Sequence, residues 1–459
     1  MREGQSRALL WDAALVVDRV LAYLREKSPV ERVEAAGSFR RMRETVGDVD
    51  LLAVAGDRGA VSKAFTSMPG IREVIVAGDT KATVLLGYTD YIEDRARTLQ
   101  VDLRILEAGS WGAGLQYFTG SKDHNVHLRG MAQDRGLKLN EYGVFRGEEK
   151  VAGDTEEGVY TALGLPWVPP ELREDRGEIE AAAKGALPNL LRPQDVQGDF
   201  HVHTNATDGT ESLEAMVDAA RNRGYAYVGI SDHSVSQTVA FGLTAEAALA
   251  RRDRVKEMNR ELREFTVLLG TECDILDGGE MDYPDEVLKE FDFVIASIHS
   301  KFMQPREEMT RRVVAAVENP YVNILAHPTA RLIGKRDPID VDLEAVFGAA
   351  AKAGTAIELN AYPNRMDLTG SQGRARRRRA VASRWTRTAT RARSSRRCAS
   401  GSAPRGAPGS RRRTWSMRGA WRRSGPFSVS LPRPRGSRRP GPPRPDRSSS
   451  AGGGGPLPA

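Results

Sequence analysis

The sequence predicts a multidomain α/β protein: an α+β domain, a helical and mixed domain, a parallel βα barrel and a disordered basic tail. Three observations predict it. From residue 199 onward, short apolar strands alternate with helical segments, the pattern of consecutive βα units. Earlier, "GDVDLLAV" (47–54) and "VDLRIL" (101–106) alternate apolar and polar residues with period two, as half-buried strands do. After residue 370 all periodicity stops, and residues 371–459 carry 24 Arg, no Lys and one Asp.

The tail therefore holds +23 and the first 370 residues −16, so the net +7 describes neither part. A basic average usually suggests nucleic acid. An acidic body can grip a polyanion only through local basic patches. No apolar run approaches the ~18 residues of a membrane helix, so no membrane partner is expected. The N-terminal segment lacks the apolar core and small-residue cleavage site of a secretion signal. Cys273 and Cys398 make no disulfide framework, which fits a reducing, cytoplasmic setting.

In chain order, residues 8–27 place Leu9, Leu10, Ala13, Ala14, Val17, Val20, Leu21 and Leu24 at helical spacing. Residues 30–106 alternate short strands with polar turns. Residues 111–186 read as helical and mixed, and "KGALPNLLRPQDVQG" (184–198) as a linker. Six strands follow: "DFHVH", "YAYVGISDH", "TVLLGTE", "FDFVIASIH", "YVNILAH" and "TAIELN". Helices are expected between them at 211–222, 244–263, 306–318 and 341–353.

Most of these strands end in a metal-ligand residue type. His201 and His203 share one face of the first strand. His233, Glu272, His299 and His327 end later strands, and Asp208 follows the first. The C-terminal strand ends of a βα barrel form one rim, so five of the seven histidines should converge there. A strand-end histidine taken alone is as easily a hydrogen-bonded structural residue. Five at matching ends argue for a polynuclear metal site, whose nitrogen and carboxylate ligands suit Zn²⁺, Mn²⁺ or Fe²⁺ and phosphoester hydrolysis.

The segments "HVHTNATDG", "GISDHS", "GTECDI", "ASIHS" and "LAHPT" resemble the PHP (polymerase and histidinol phosphatase) domain over residues 199–370. The resemblance implies a distorted (β/α)7 barrel holding Mn²⁺ or Zn²⁺. His201, His203, Asp208, His233, Glu272, His299 and His327 match its ligand positions. It also implies a seventh strand ending in Asp-x-His, a motif this chain lacks.

The earlier half carries carboxylates. Asp48 and Asp50 point to one side of their strand, and Asp102 faces with Arg104 on another. Three carboxylates on adjacent strands can hold two Mg²⁺ ions against a nucleoside triphosphate. Gly37 and Ser38 would let donors approach phosphate, with Gly47 in the same nucleotide-binding set, and Arg41 would neutralise charge. A lone D-x-D is common in surface turns. The G-S, D-x-D and later strand Asp together resemble the nucleotidyltransferase fold. "LQYFTGSKDHNVHLRGMA" (115–132) narrows this to the family X DNA polymerases. That resemblance implies that Tyr117, Phe118 and Gly120 shape a sugar pocket, Asn125 reaches the minor groove of the incoming base, and Arg129 binds template DNA.

The whole chain is thus similar to bacterial family X polymerases, gap-filling repair enzymes with a PHP 3′–5′ exonuclease. The expected domains are a remnant helical segment (1–29), palm (30–106), thumb (107–183), linker (184–198), PHP barrel (199–370) and tail (371–459). Expected partners are gapped or primer-template DNA and dNTPs, acting on a monomer associated with the nucleoid. Two departures are noted. The family's N-terminal DNA-binding domain has no counterpart here, which predicts a weaker grip on gapped DNA. The barrel also stops early. Shifting the frame by one base across residues 382–391 permits a short strand and Asp-x-His, so a frameshift near residue 370 is expected. The barrel would then lack its last strand, with an impaired nuclease and a disordered tail. Alternatives are a PHP phosphoesterase alone, or a non-catalytic nucleic-acid-binding or defective product.

Overall fold

The computed structural model describes residues 7–373 and a strand at 383–386. Strand β1 (Ala8–Leu9) pairs antiparallel with β3 (Thr45–Val46), and Arg7 donates to the Thr45 hydroxyl (2.9 Å). Helix α1 (Leu10–Lys27) buries Ala13, Val17, Val20, Leu21 and Leu24, one apolar stripe. It stops at Ser28, whose hydroxyl donates to the Leu24 carbonyl (2.7 Å) ahead of Pro29. There follow β2 (Arg32–Ala35), α2 (Gly37–Arg40), β4 (Asp48–Val54), α3 (Arg58–Thr66), β5 (Ile71–Ala77), β6 (Lys81–Thr89) and β7 (Ala96–Leu106). Asp57 caps α3 by accepting from the Ala60 N–H.

The sheet order is β2-β4-β7-β6-β5, with β4 and β7 parallel and the other neighbours antiparallel. Alternation sorts its two faces. Val49, Leu51, Ala53, Val101 and Leu103 pack under α1 and α3. The opposite face starts with Asp48 and Asp50 and continues into Leu52 and Val54, which meet Trp111 and Leu115.

Those two residues belong to α4 (Trp111–Thr119), which opens a second unit with α5 (Lys122–Asp134), a small antiparallel sheet of β8 (Lys138–Asn140), β9 (Gly143–Arg146) and β10 (Glu149–Ala152), α6 (Glu156–Ala162) and α7 (Glu178–Ala183). Its core holds Leu128, Val144, Val159, Tyr160 and Leu163. A buried ion cluster joins it to the first sheet. Arg40 grips both oxygens of Glu156 (2.7 Å each), and Arg173 donates to the same carboxylate (2.7 Å). Burial would raise the Glu156 pKa, but Arg173 and Arg40 bring it down to about 2.

The third unit comprises β11 (Gly198–Val202), α8 (Leu213–Arg221), β12 (Tyr227–Ile230), α9 (Ala245–Glu261), β13 (Thr266–Asp274), α10 (Asp285–Leu288), β14 (Phe293–Ser297), α11 (Arg306–Glu318), β15 (Ile324–Leu325), α12 (Leu343–Ala353), β16 (Ala356–Asn360) and β17 (Ser383–Thr386). The strands run parallel in chain order, and the sheet curls until β17 comes near β11. Val228, Leu269, Val294, Val313 and Phe347 pack strands against helices. Inside the curl, Phe200, Phe293, Ile295 and Ile324 fill the interior. A Cβ at Gly270 would lie 2.4 Å from the Phe293 ring, so only glycine admits that ring.

One expectation is corrected. The sequence predicts six strands and a missing seventh, yet residues 383–386 add a strand beside β16, pairing Ile357 with Ser383 and Asn360 with Thr386. Parallel pairing uses backbone N–H and C=O groups alone, and an open strand edge templates any extended segment that reaches it. The Ser-Arg-Trp-Thr of this strand still supplies no Asp-x-His. The rest of the Arg-rich tail, expected to be disordered and out of frame, lies outside the described residues.

Candidate active sites

The first site sits on the open face of the mixed sheet. Asp50 and Asp102 are Cα partners on β4 and β7, and Asp48 pairs with Gln100. Parallel neighbours in register point side chains the same way about 5 Å apart, so the three predicted carboxylates share one patch. Asp102 accepts from the Thr83 hydroxyl (2.6 Å) and the Gln100 amide (2.7 Å), which fixes its orientation. Burial, then the charges of Asp48 and Asp102, push the Asp50 pKa up to about 7. Mutually repelling carboxylates gathered on one face fit divalent-metal binding.

Gly37 begins α2 at φ +61°, and a Cβ there would stand 2.3 Å from Asp50 Oδ2. Both facts demand glycine. Ser38 is half-buried in the same turn. Gly47 lies under the Arg7 guanidinium, 3.0 Å from where its Cβ would be.

The predicted sugar-pocket residues gather beside this patch. Tyr117 and Phe118 meet edge to face at 5.1 Å, and the Arg104 guanidinium lies 5.0 Å from the Phe118 ring centroid. Arg104 thus ties the Asp102 strand to the α4 terminus. Gly120 ends α4 at φ +70°.

Two predicted binders already have protein partners. Arg41 pairs with Glu174 (2.8 Å) and donates to the Thr119 carbonyl. Asn125 accepts from Gln116 (2.8 Å) and donates to the Tyr117 carbonyl (2.7 Å), bracing the turn. Arg129 is exposed on α5.

The second site lies at the C-terminal ends of the parallel strands, and all seven predicted ligands meet there. Glu272 is at its centre. Its oxygens face His201 Nε2 (2.9 Å), His203 Nε2 (3.2 Å), His233 Nδ1 (3.2 Å), His299 Nε2 (3.4 Å) and His327 Nε2 (3.0 Å). Asp208 completes the edge, 3.3 Å from His203 Nδ1 and 3.7 Å from His233 Nε2. Burial opposes a charged Glu272, but the imidazoles of His201, His233 and His299 hold its pKa well below the usual carboxylate range.

One carboxylate cannot accept from five rings at once. Four buried ring nitrogens, His201 Nε2, His203 Nδ1, His233 Nδ1 and His327 Nδ1, make no hydrogen bond; two of them lie near Glu272 at angles that do not bond. Overlapping triads such as His201–His203–Glu272 and His203–Asp208–His233 bring ligand atoms within 4.8 Å of one another. This donor set fits more than one transition-metal ion.

Sequence reasoning missed three supporting carboxylates. Asp274 accepts from His299 Nδ1 (2.7 Å), Glu358 bonds His201 Nδ1 (2.6 Å) and the His327 N–H, and Asp232 accepts from the Thr204 N–H (2.7 Å). Period two pointed to Asp274, two residues past Glu272. Glu358 was legible only as an acid inside an apolar strand.

The DNA polymerase beta thumb family matches residues 114–174, and the PHP domain family matches residues 199–361. The chain thus resembles, in this order, the thumb of a DNA polymerase and a PHP domain. It is similar to the DNA polymerase/3′-5′ exonuclease PolX of Bacillus subtilis, with 38% identity over 358 residues, covering 78% of this chain and 61% of the relative. It is also similar to a "Probable phosphatase" of Clostridium botulinum (33% identity, 35% of this chain, 63% of the relative) and to one of Acetivibrio thermocellus (32% identity, 35% of this chain, 64% of the relative). The chain spans about three fifths of the length of these relatives. No helix among the described residues is long and apolar enough to cross a membrane.

Proposed function

We propose that this chain is a family X DNA-directed DNA polymerase that adds deoxynucleotides to a primer 3′ end at gaps, with a PHP phosphoesterase acting as a 3′–5′ exonuclease. The observation that carries it is the direct pairing of Asp50 with Asp102, beside Asp48 and against Gly37. In this reading residues 30–106 are the palm, 107–183 the thumb and 199–370 the PHP barrel. Mg²⁺ held by Asp48, Asp50 and Asp102 would activate the attacking 3′-oxygen and stabilise the in-line transition state. The chain's own residues do the positioning. Thr83 and Gln100 orient Asp102, and Gly37 and Ser38 let a triphosphate approach. Gly47 borders that path. Tyr117, Phe118 and Gly120 shape the sugar pocket, with Asn125 bracing it. Arg41 would exchange Glu174 for phosphate, and Arg129 would meet the template.

In the barrel, Mn²⁺ or Zn²⁺ bound by His201, His203, Asp208, His233, Glu272, His299 and His327 would supply an activated water. Asp274 and Glu358 orient His299 and His201 as supporting carboxylates do. Without the Asp-x-His pair, metal affinity and nuclease rate fall below those of a complete set. The protein acts as a cytoplasmic, nucleoid-associated monomer.

The test is gap filling with Mg²⁺ and dNTPs. Asp102→Asn should cut extension by about 10²–10³-fold while nuclease activity with Mn²⁺ persists. A second reading, a PHP phosphoesterase alone, is favoured by the relatives named "Probable phosphatase", which match 35% of this chain. It wins if wild type extends no primer yet hydrolyses phosphodiesters.

A further inference from the structure

The rim of the histidine cluster carries two guanidinium groups with no acidic partner among the described residues. Arg336 closes the turn that starts at His327: its Nε donates to the Ala330 carbonyl (2.9 Å), and its guanidinium lies 3.8 Å from the Phe302 ring centroid. Phe302 itself follows His299 by three positions. Arg336 therefore stands between the loops that leave two cluster histidines.

Arg365 comes from the loop after β16. Its backbone is held on both sides, by the Tyr362 carbonyl and by Arg331 Nε (2.9 Å). Its side chain is not, because Nη1 is buried without a hydrogen-bond partner. The Ile333 N–H donates to the Asn364 carbonyl (2.7 Å), so the residue before Arg365 meets the turn that runs from His327 to Arg336. The two arginines thus sit on adjoining loops beside His327.

Other cations around the barrel mouth are accounted for. Arg331 pairs with Glu44, Lys335 with Glu93 and Arg251 with Asp232. Two half-buried guanidiniums on adjoining loops, one with an unmet N–H, favour an anion between them. A guanidinium fork matches phosphate oxygens two at a time. Next to Phe302, Met303 is 94% exposed, an apolar surface suited to a nucleoside beside that phosphate.

We propose that Arg336 and Arg365 form a fork that holds a phosphodiester group of a nucleic-acid strand against the His299–His327 side of the cluster. The inference rests on the phosphoesterase reading of that cluster. Both residues act in binding and orientation, so their loss should appear in KM more than in kcat.

The probe is thymidine 5′-(p-nitrophenyl phosphate), a small nucleoside phosphodiester, with the full chain. With Mn²⁺, Arg365→Gln and Arg336→Gln should each raise KM about tenfold while kcat changes less than about threefold. Arg365→Lys, which keeps the charge but not the fork, should recover part of the loss. Calorimetry on the metal-free protein should show the same tenfold weakening of probe binding. Unchanged KM and binding in both variants would overturn the proposal. If wild type releases no p-nitrophenol, the phosphoesterase reading fails, and the metal-free titration alone decides the fork. If inorganic phosphate binds wild type as tightly as the diester and loses as much in Arg365→Gln, the site is one for free phosphate and the nucleic-acid assignment is overturned.

Discussion

Arg331, four residues after the cluster ligand His327, grips both carboxylate oxygens of Glu44, four residues before Asp48. The same guanidinium holds the Arg365 and Met366 carbonyls. One side chain therefore connects the segment just before the Asp48–Asp50 strand with the rim of the barrel. Arg331→Met should destabilise more than Glu44→Gln, because it also orphans two carbonyls. The cost of Glu44→Gln should be about 1 kcal/mol, since Glu44 is partly exposed and screened. Urea unfolding of both single variants and the double variant measures the coupling. Equal costs would refute the shared role.

Glu156 lies buried between Arg40 and Arg173. Its folded pKa of about 2 lies below the ordinary 4.5. The stability it contributes is present above about pH 4.5 and is lost as pH falls toward 2. Glu156→Gln should cost about 3–5 kcal/mol at pH 7 by leaving two buried guanidiniums under-neutralised. Thermal melts across that pH range should be flatter in the variant than in wild type.

Asp50 has the opposite sign. Its folded pKa of about 7 lies above the ordinary 3.8, so the metal-free fold loses stability as pH rises between those values. Asp50→Asn should therefore raise the melting temperature in EDTA at pH 8 while abolishing primer extension. Divalent-metal binding to wild type at pH 6 should release a proton, read by calorimetry in buffers of different ionisation enthalpy.

Gly37→Ala forces a methyl group into Asp50 and a side chain into a left-handed backbone. The backbone term alone is about 1–2 kcal/mol. Extension should fall by at least tenfold, with the histidine cluster unaffected. A variant with normal extension would show that the approach of Gly37 to Asp50 is incidental.

Removing metal should loosen the barrel more than the mixed sheet. Ligand excess of about 100 Kd stabilises by about 2.7 kcal/mol, so chelation should lower the melting temperature of wild type. His201→Ala should lower both bound metal, measured by elemental analysis, and the size of that chelation shift.

Much of both sites was legible in the chain. Period-two alternation put Asp48 and Asp50 on one face, and His201 and His203 on another, because side-chain direction in a strand is a local property. Strand ends marked the remaining ligands for the same reason. What stayed hidden was set by partners far away in sequence. Glu174, which pairs with Arg41, lies 133 residues from it. Glu358, which holds His201, lies 157 residues away.

The sequence by itself determined the residue types, their faces and the order of βα units, all carried by short-range periodicity. Only the tertiary structure decided register and closure. It set Asp50 opposite Asp102, brought Glu358 to His201 across 157 residues, and drew residues 383–386 in as a seventh strand. Those outcomes depend on which backbone edges meet when the cores pack, and no local pattern encodes that choice.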